Sequence, residues 1–146
     1  MISPDTRAEP RTKARHPQRV FTVQSANAAL VLVRRVVRDV VERYAELMKL
    51  RREREELALG RSSPERVEEL RVRIVVTVER LNRLQEELAD VGCELKDWVT
   101  GGVDFPAVHR GRRVCLCWQL DDPDVAYWHE WNADFSARQA VGPDFG

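Results

Sequence analysis

Residues able to hold a proton or a metal ion gather in the last third of the chain. His129 lies in Tyr127-Trp128-His129-Glu130-Trp131, Cys115 and Cys117 in Val114-Cys115-Leu116-Cys117-Trp118, and Asp104 in Gly102-Val103-Asp104-Phe105-Pro106. A buried imidazole needs partners for both ring nitrogens, and Asp104, Asp97 or Glu94 could supply one. His129 therefore reads as a ligand-binding or acid–base group, or, the commoner case, as a core histidine satisfied by a carboxylate or a backbone carbonyl. Cys115 and Cys117 point to one side of a strand and, with Glu130, could begin a metal site. C-x-C inside a strand is a weaker zinc signal than C-x-x-C at a turn. Asp104, flanked by glycines and Phe-Pro, suits a site and a turn cap equally. Arg112 and Arg138 could hold an anion or pair with the acidic C-terminal region. The ligand-binding candidates are thus Asp104, Cys117, His129, Arg112 and Arg138, and the metal candidates are Cys115, Cys117 and Glu130. No residue is assigned a catalytic role and no cofactor is expected: the chain has no phosphate loop, dinucleotide fingerprint, zinc-protease pair, nucleophile elbow or Ser/His/Asp set.

These residues need a frame. Residues 113–131 read as a β-hairpin, two runs rich in Val, Leu, Cys, Trp and Tyr flanking the turn-favouring Asp121-Asp122-Pro123-Asp124. With those four as the loop, Leu120 faces Val125, Trp118 faces Tyr127, Leu116 faces His129 and Val114 faces Trp131. That register puts His129 on a face otherwise apolar and leaves Cys115, Cys117, Trp128 and Glu130 on the other. Upstream, Cys93–Trp98 alternates like a strand, Val103–Ala107 is extended because Pro106 steers Phe105 away from helix, and His109–Arg112 is a turn. The end, residues 132–146, reads as irregular.

Two long helices come before the β region, which spans about 93–131. The first, about 22–59, is capped by Thr22 and stapled by Phe21. Ala26, Leu30, Val33, Val37, Val40, Tyr44 and Leu47 follow at spacings of four and three, a coiled-coil-like stripe. Its end, Lys49–Glu56, is highly charged, with i,i+4 pairs such as Lys49–Glu53. After a turn at 60–63, the second helix, about 64–91, starts at Ser62 or Ser63 with Pro64 in its first turn and ends at Gly92. Val67, Leu70, Ile74, Thr77, Leu81, Leu84, Leu88 and Val91 form its stripe, widened by Val72, Val75, Val76 and Val78. Wide apolar zones demand a third layer, and the hairpin's apolar face is the available cover. The expected fold is α+β: a long antiparallel helical hairpin with a small antiparallel sheet packed at its open end, as one domain over 21–146.

The chain has 146 residues, a formal net charge of zero and three cysteines. Zero net charge gives no bulk argument for nucleic acid or anionic membrane. Three cysteines, two of them one residue apart, argue against a disulfide framework and for a reducing, cytoplasmic compartment. No apolar run is long enough to span a membrane, and the N-terminus lacks a secretory core. Residues 1–20, with three prolines and five basic against two acidic residues, read as a disordered basic arm. Nucleic-acid contact through that arm is the weakest reading. The favoured one is a non-enzymatic interaction or accessory module, with a protein partner and homodimerisation through leftover apolar helix surface. The alternative is a small-ligand or metal-binding protein, with an enzyme as one form of it, its site around Asp104, Cys117 and His129.

Several short motifs carry a family resemblance. Phe21-Thr22, Ala26-Asn27, Glu94-Leu95-Lys96-Asp97, Gly102-Val103-Asp104-Phe105-Pro106-Ala107, Gly111-Arg112, Leu116-Cys117-Trp118, Trp128-His129, and Phe135 with Arg138 resemble a small prokaryotic family catalogued as domain of unknown function 2203. The resemblance runs from Phe21 to about Arg138. It implies a helical hairpin with a small β region in a cytoplasmic protein, and no assigned activity. Two positions depart from the family pattern: Asp134 stands where the family has glycine, and Ala137-Arg138 where it has Gly-Arg.

Overall fold

The computed structural model describes residues 19–60 and 63–145. The basic arm lies, up to residue 18, outside the described residues, as does Ser62. Arg19, at its end, is docked: its guanidinium donates to the Val91 carbonyl at 2.6 Å and sits over the Phe21 ring.

Helix α1 spans Val23–Leu59 and helix α2 spans Pro64–Val91. Thr22 caps α1 through a reciprocal pair, Ser25 N donating to its hydroxyl and Thr22 N donating to Ser25 Oγ. Ser63 caps α2, and Gly92 ends it in the left-handed region at φ 110°. A Cβ on Gly92 would lie 2.9 Å from the Arg19 side chain, so the glycine serves both the turn and the docked arm. Ion pairs Arg80–Asp39, Arg73–Glu46 and Arg66–Glu53 climb between the helices in opposite chain directions, fixing them as antiparallel. Glu53, expected to pair with Lys49 along its own helix, pairs with Arg66 across the hairpin instead. Among the described residues, no helix is long and apolar enough to cross a membrane.

A five-stranded antiparallel meander follows, ordered β1 (Glu94–Asp97), β2 (Gly102–His109), β3 (Arg112–Trp118), β4 (Tyr127–Glu130) and β5 (Gln139–Ala140). Arg110 and Gly111, at φ 53° and 78°, make the tight turn between β2 and β3, with both central residues at positive φ as a two-residue hairpin loop favours. One face of the sheet lies on the helices. Val103, Phe105, Ala107, Val114, Leu116 and Trp118 join Ala26, Leu30, Val33 and Val37 of α1 and Leu81, Leu84 and Leu88 of α2 in a single core. Phe21 anchors the junction, donating its N–H to the Pro106 carbonyl at 2.7 Å and meeting Phe105 edge-on. Trp98 stacks on Tyr44, and the Gly101 turn closes on Val37.

The structure corrects three expectations. First, the β3–β4 register is shifted by one: Cys115 faces His129, Leu116 faces Trp128 and Cys117 faces Tyr127. The reason is a longer loop. Asp122 folds inward, accepting from Gln119 N through its carboxylate and from Trp118 Nε1 through its carbonyl, while Val125 N donates to Asn27 Oδ1 of α1. The strands therefore begin to pair only at Cys117–Tyr127, and His129 joins Cys115 and Cys117 on the face turned away from the helices. Trp131, expected in the apolar face, is partly exposed with Arg113 stacked on it. Second, the tail is ordered: a short 3-10 helix, Phe135–Ala137, precedes β5, which pairs with β4. Third, the sheet does not cover the whole apolar width of α2. Val67, Val72, Val75 and Val76 remain exposed.

Candidate functional site

Alternation along the strands builds the site. Glu94, Asp104, Pro106, Cys115, Cys117, Tyr127 and His129 share the outer face, because Glu94 pairs with Asp104, Asp104 with Cys117, Pro106 with Cys115, Cys115 with His129 and Cys117 with Tyr127. A sheet face without a second layer would be wet. Here Asp104, Cys115, Cys117 and His129 are all buried. The cover is the 3-10 helix. Asp134 caps it by accepting from Ser136 N at 3.0 Å, and Phe135 lands above Gly102 and beside the His129 ring. A Cβ on Gly102 would lie 3.1 Å from Phe135 Cζ, so the missing side chain forms the seat for that ring. Arg138 completes the cover. It lies on the Tyr127 ring at 4.1 Å and donates twice to the Asp122 carboxylate, at 2.8 and 3.2 Å.

At the centre, His129 Nε2 is 3.0 Å from Asp104 Oδ1 and His129 Nδ1 is 2.8 Å from the Glu130 carbonyl oxygen. A carbonyl only accepts, so Nδ1 carries a hydrogen. The contact of Nε2 with Asp104 Oδ1 then favours a second ring proton, which makes the ring an imidazolium. The hydrogen bond to Asp104 holds the His129 pKa above its ordinary value, against the opposing pull of burial. Cys115 and Cys117 are thiols: burial, reinforced by the Asp104 charge, pushes each up to about 12, with Arg138 pulling Cys117 the other way. Cys93, away from this cluster, is likewise raised by burial to about 12.

The ligand atoms of Asp104, Cys115 and His129 all lie within 4.8 Å of one another. They offer one oxygen, one sulfur and one nitrogen. The Glu130 carbonyl fixes the histidine tautomer so that Nε2 points inward, as a backbone acceptor does behind many metal-bound histidines.

Of the residues singled out from sequence, Asp104, Cys115, Cys117 and His129 come together, with Arg138 at the margin beside Cys117. Arg112 and Glu130 do not join them. Their side chains pair with each other at 2.6 Å on the rim, and Glu130 contributes to the site only through its backbone carbonyl. Asp97 instead caps the β1–β2 turn, accepting from Val99 N and Thr100 N. Sequence reasoning did not assign Gly102, Asp122 and Tyr127 to the site; the turn-forming Asp122, with a cation sixteen residues on, offered only a faint signal.

No curated protein matches the chain, and no solved structure does. A family model described as "Uncharacterized conserved protein (DUF2203)" matches residues 19–141, most of the chain and the whole of the site just built; the chain belongs to this family.

Proposed function

We propose that this chain is a metal-binding protein, and that Asp104, Cys115 and His129 hold a divalent ion of the zinc class in the place of the proton shared by Asp104 and His129. One observation carries the reading: three ligand atoms of different chemistry, from three adjacent strands, converge within 4.8 Å. Thiolate with imidazole suits zinc and its neighbours rather than magnesium or calcium, which prefer all-oxygen shells. Three protein ligands leave a fourth position for water or a small molecule, the arrangement of zinc sites that do more than hold a fold together. Cys117 pairs across the sheet with Asp104, Arg138 lies by Cys117, and Phe135 stands beside the His129 ring, so these are the side chains that would surround a bound ion.

Binding must expel the Cys115 proton and the proton of the Asp104–His129 pair, so affinity rises with pH. The test is a titration of metal-free protein with zinc against a chromophoric chelator, repeated with cobalt to read the sulfur-to-metal absorption band. One ion per chain is expected, with the cobalt band lost in Cys115→Ser. Asp104→Asn and His129→Ala should each weaken binding by about a hundredfold or more, while Cys93→Ser leaves it unchanged. Circular dichroism shows whether each variant is folded. Wild-type protein that takes up no ion at micromolar zinc, or folded variants that bind as wild type does, would refute the reading.

A further inference from the structure

The sheet face that brings Val114 and Leu116 into the core continues past them to the β2–β3 turn. His109 pairs with Arg112, Val114 with Glu130, Leu116 with Trp128 and Trp128 with Gln139, so these side chains stand on that face, opposite the Asp104, Cys115 and His129 cluster. The C-terminal tail folds back beside them. Asp144 pairs with Arg110 of the turn, and the Phe145 ring stacks nearly parallel on His109 at 4.5 Å. A cavity of about 370 Å³ is left there, the size of a small-ligand site. His109, Arg110, Arg112, Glu130, Gln139 and Asp144 supply its polar wall.

Two observations say what such a wall would hold. His109 is buried, and its Nδ1 is enclosed with no hydrogen-bond partner among the described residues. A buried ring nitrogen left in that state costs the fold stability, is uncommon in native proteins, and marks a place where another molecule supplies the partner. The second observation is the charge. Arg110 pairs with Asp144 and Arg112 with Glu130, and all four residues are exposed. Exposed pairs hold weakly, so a ligand opens them with little loss. The rings do not compete for the ligand, because His109, Trp128 and Phe145 spend their faces on one another. The wall therefore offers two guanidiniums and two carboxylates. An anion alone would meet the carboxylates, and a cation alone the guanidiniums. A small molecule carrying both signs satisfies both.

We propose that this cavity binds a free α-amino acid, its carboxylate between Arg110 and Arg112, its ammonium group against Glu130 and Asp144, and a polar atom against the His109 ring. The site lies on the opposite face of the sheet from the proposed metal centre and does not depend on it. His109 serves it twice: the ring face packs the tail, and the ring nitrogen meets the ligand.

Calorimetric titration of the metal-free full-length chain, in the presence of a chelator, with each standard free amino acid in turn tests this. At least one should bind with a Kd below about 1 mM. For the tightest of them, removing either charge, as the N-acetyl or the carboxamide derivative, should weaken binding by about tenfold or more. Arg112→Gln and Asp144→Asn, both at exposed positions, should each weaken it by about tenfold. His109→Phe keeps the ring stack and removes the nitrogen, so it should weaken binding by about as much while the denaturant midpoint stays unchanged or rises. Circular dichroism confirms that each variant is folded. A panel in which no amino acid binds below about 1 mM overturns the proposal. So does a derivative lacking one charge that binds as tightly as its parent, or folded Arg112→Gln and Asp144→Asn proteins that bind as the wild type does.

Discussion

The two faces of the sheet come from the same few strands, one alternating residue apart, and are built to opposite ends. Toward the helices stand Val103, Phe105, Val114, Leu116 and Trp118, all buried under two long helices. Away from them stand Asp104, Cys115, Cys117 and His129, equally buried but roofed by a three-residue 3-10 helix and one arginine. The first face binds the domain together with apolar area. The second invests its burial in polar groups, whose gain over hydration is small and whose cost when one partner is lost is large. Equal burial thus conceals unequal make-up: the helix face is apolar, while the outer face gathers an oxygen, a sulfur and a nitrogen within 4.8 Å of one another.

Three experiments would break or sharpen that contrast. The largest effect belongs to the helix face. Trp118→Ala should cost about 3–5 kcal/mol, enough to unfold much of a marginal domain, and a denaturant melt measures it. A loss under 1 kcal/mol would mean that the core does not lean on β3.

Next comes the pH dependence of the metal-free protein. His129 holds its proton above its ordinary value of 6.5. A group bound more tightly in the folded chain contributes stability that is fully present below the unfolded pKa and is lost as pH rises through the folded one. Wild-type stability should therefore decline above about pH 6.5 relative to Asp104→Asn, in which that coupling is gone. Parallel pH–stability curves for the two proteins would remove the outer face from the energetics.

The smallest effect on stability, and the most local, belongs to the roof. Phe135→Ala should cost the fold about 1 kcal/mol and leave the helix face intact. With their pKa values at about 12, all three native thiols should resist alkylation at neutral pH. Opening the roof should speed the labelling of Cys115 and Cys117 while Cys93 stays slow. Mass spectrometry separates the three, and uniform rates would show that the roof does not guard the outer face.

The helical hairpin was legible because its signals are local and repeated: Thr22 and Ser63 as caps, Gly92 as the stop, and stripes at spacings of three and four. Asp104 stood among the three carboxylates offered as partners for His129, beside Asp97 and Glu94, and it is the one that meets the ring. The arrangement of the site residues was not legible. Leu120 and Val125 look like strand residues, so a four-residue loop was the natural reading. Only Asn27, nearly a hundred residues away, holds Val125 in the longer loop that is formed. One residue of slip moved His129 to the other face and separated it, on paper, from Cys115, its cross-strand neighbour. The tail was opaque for a different reason: β5 is two residues of backbone pairing, and Phe135 finds its seat through the absence of a side chain at Gly102.

The lateral margins of the sheet carry a consequence for crowding in solution. On one side the last strand is two residues long; on the other β1 is four, kinked by an irregularity between Leu95 and Asp97 and tipped with Lys96. Among the described residues both outermost strands are short, and past the end of β1 the exposed edge of β2 is bridged by Phe21 at Ala107, so the fold resists runaway ribbon growth even though strands make up much of its C-terminal half.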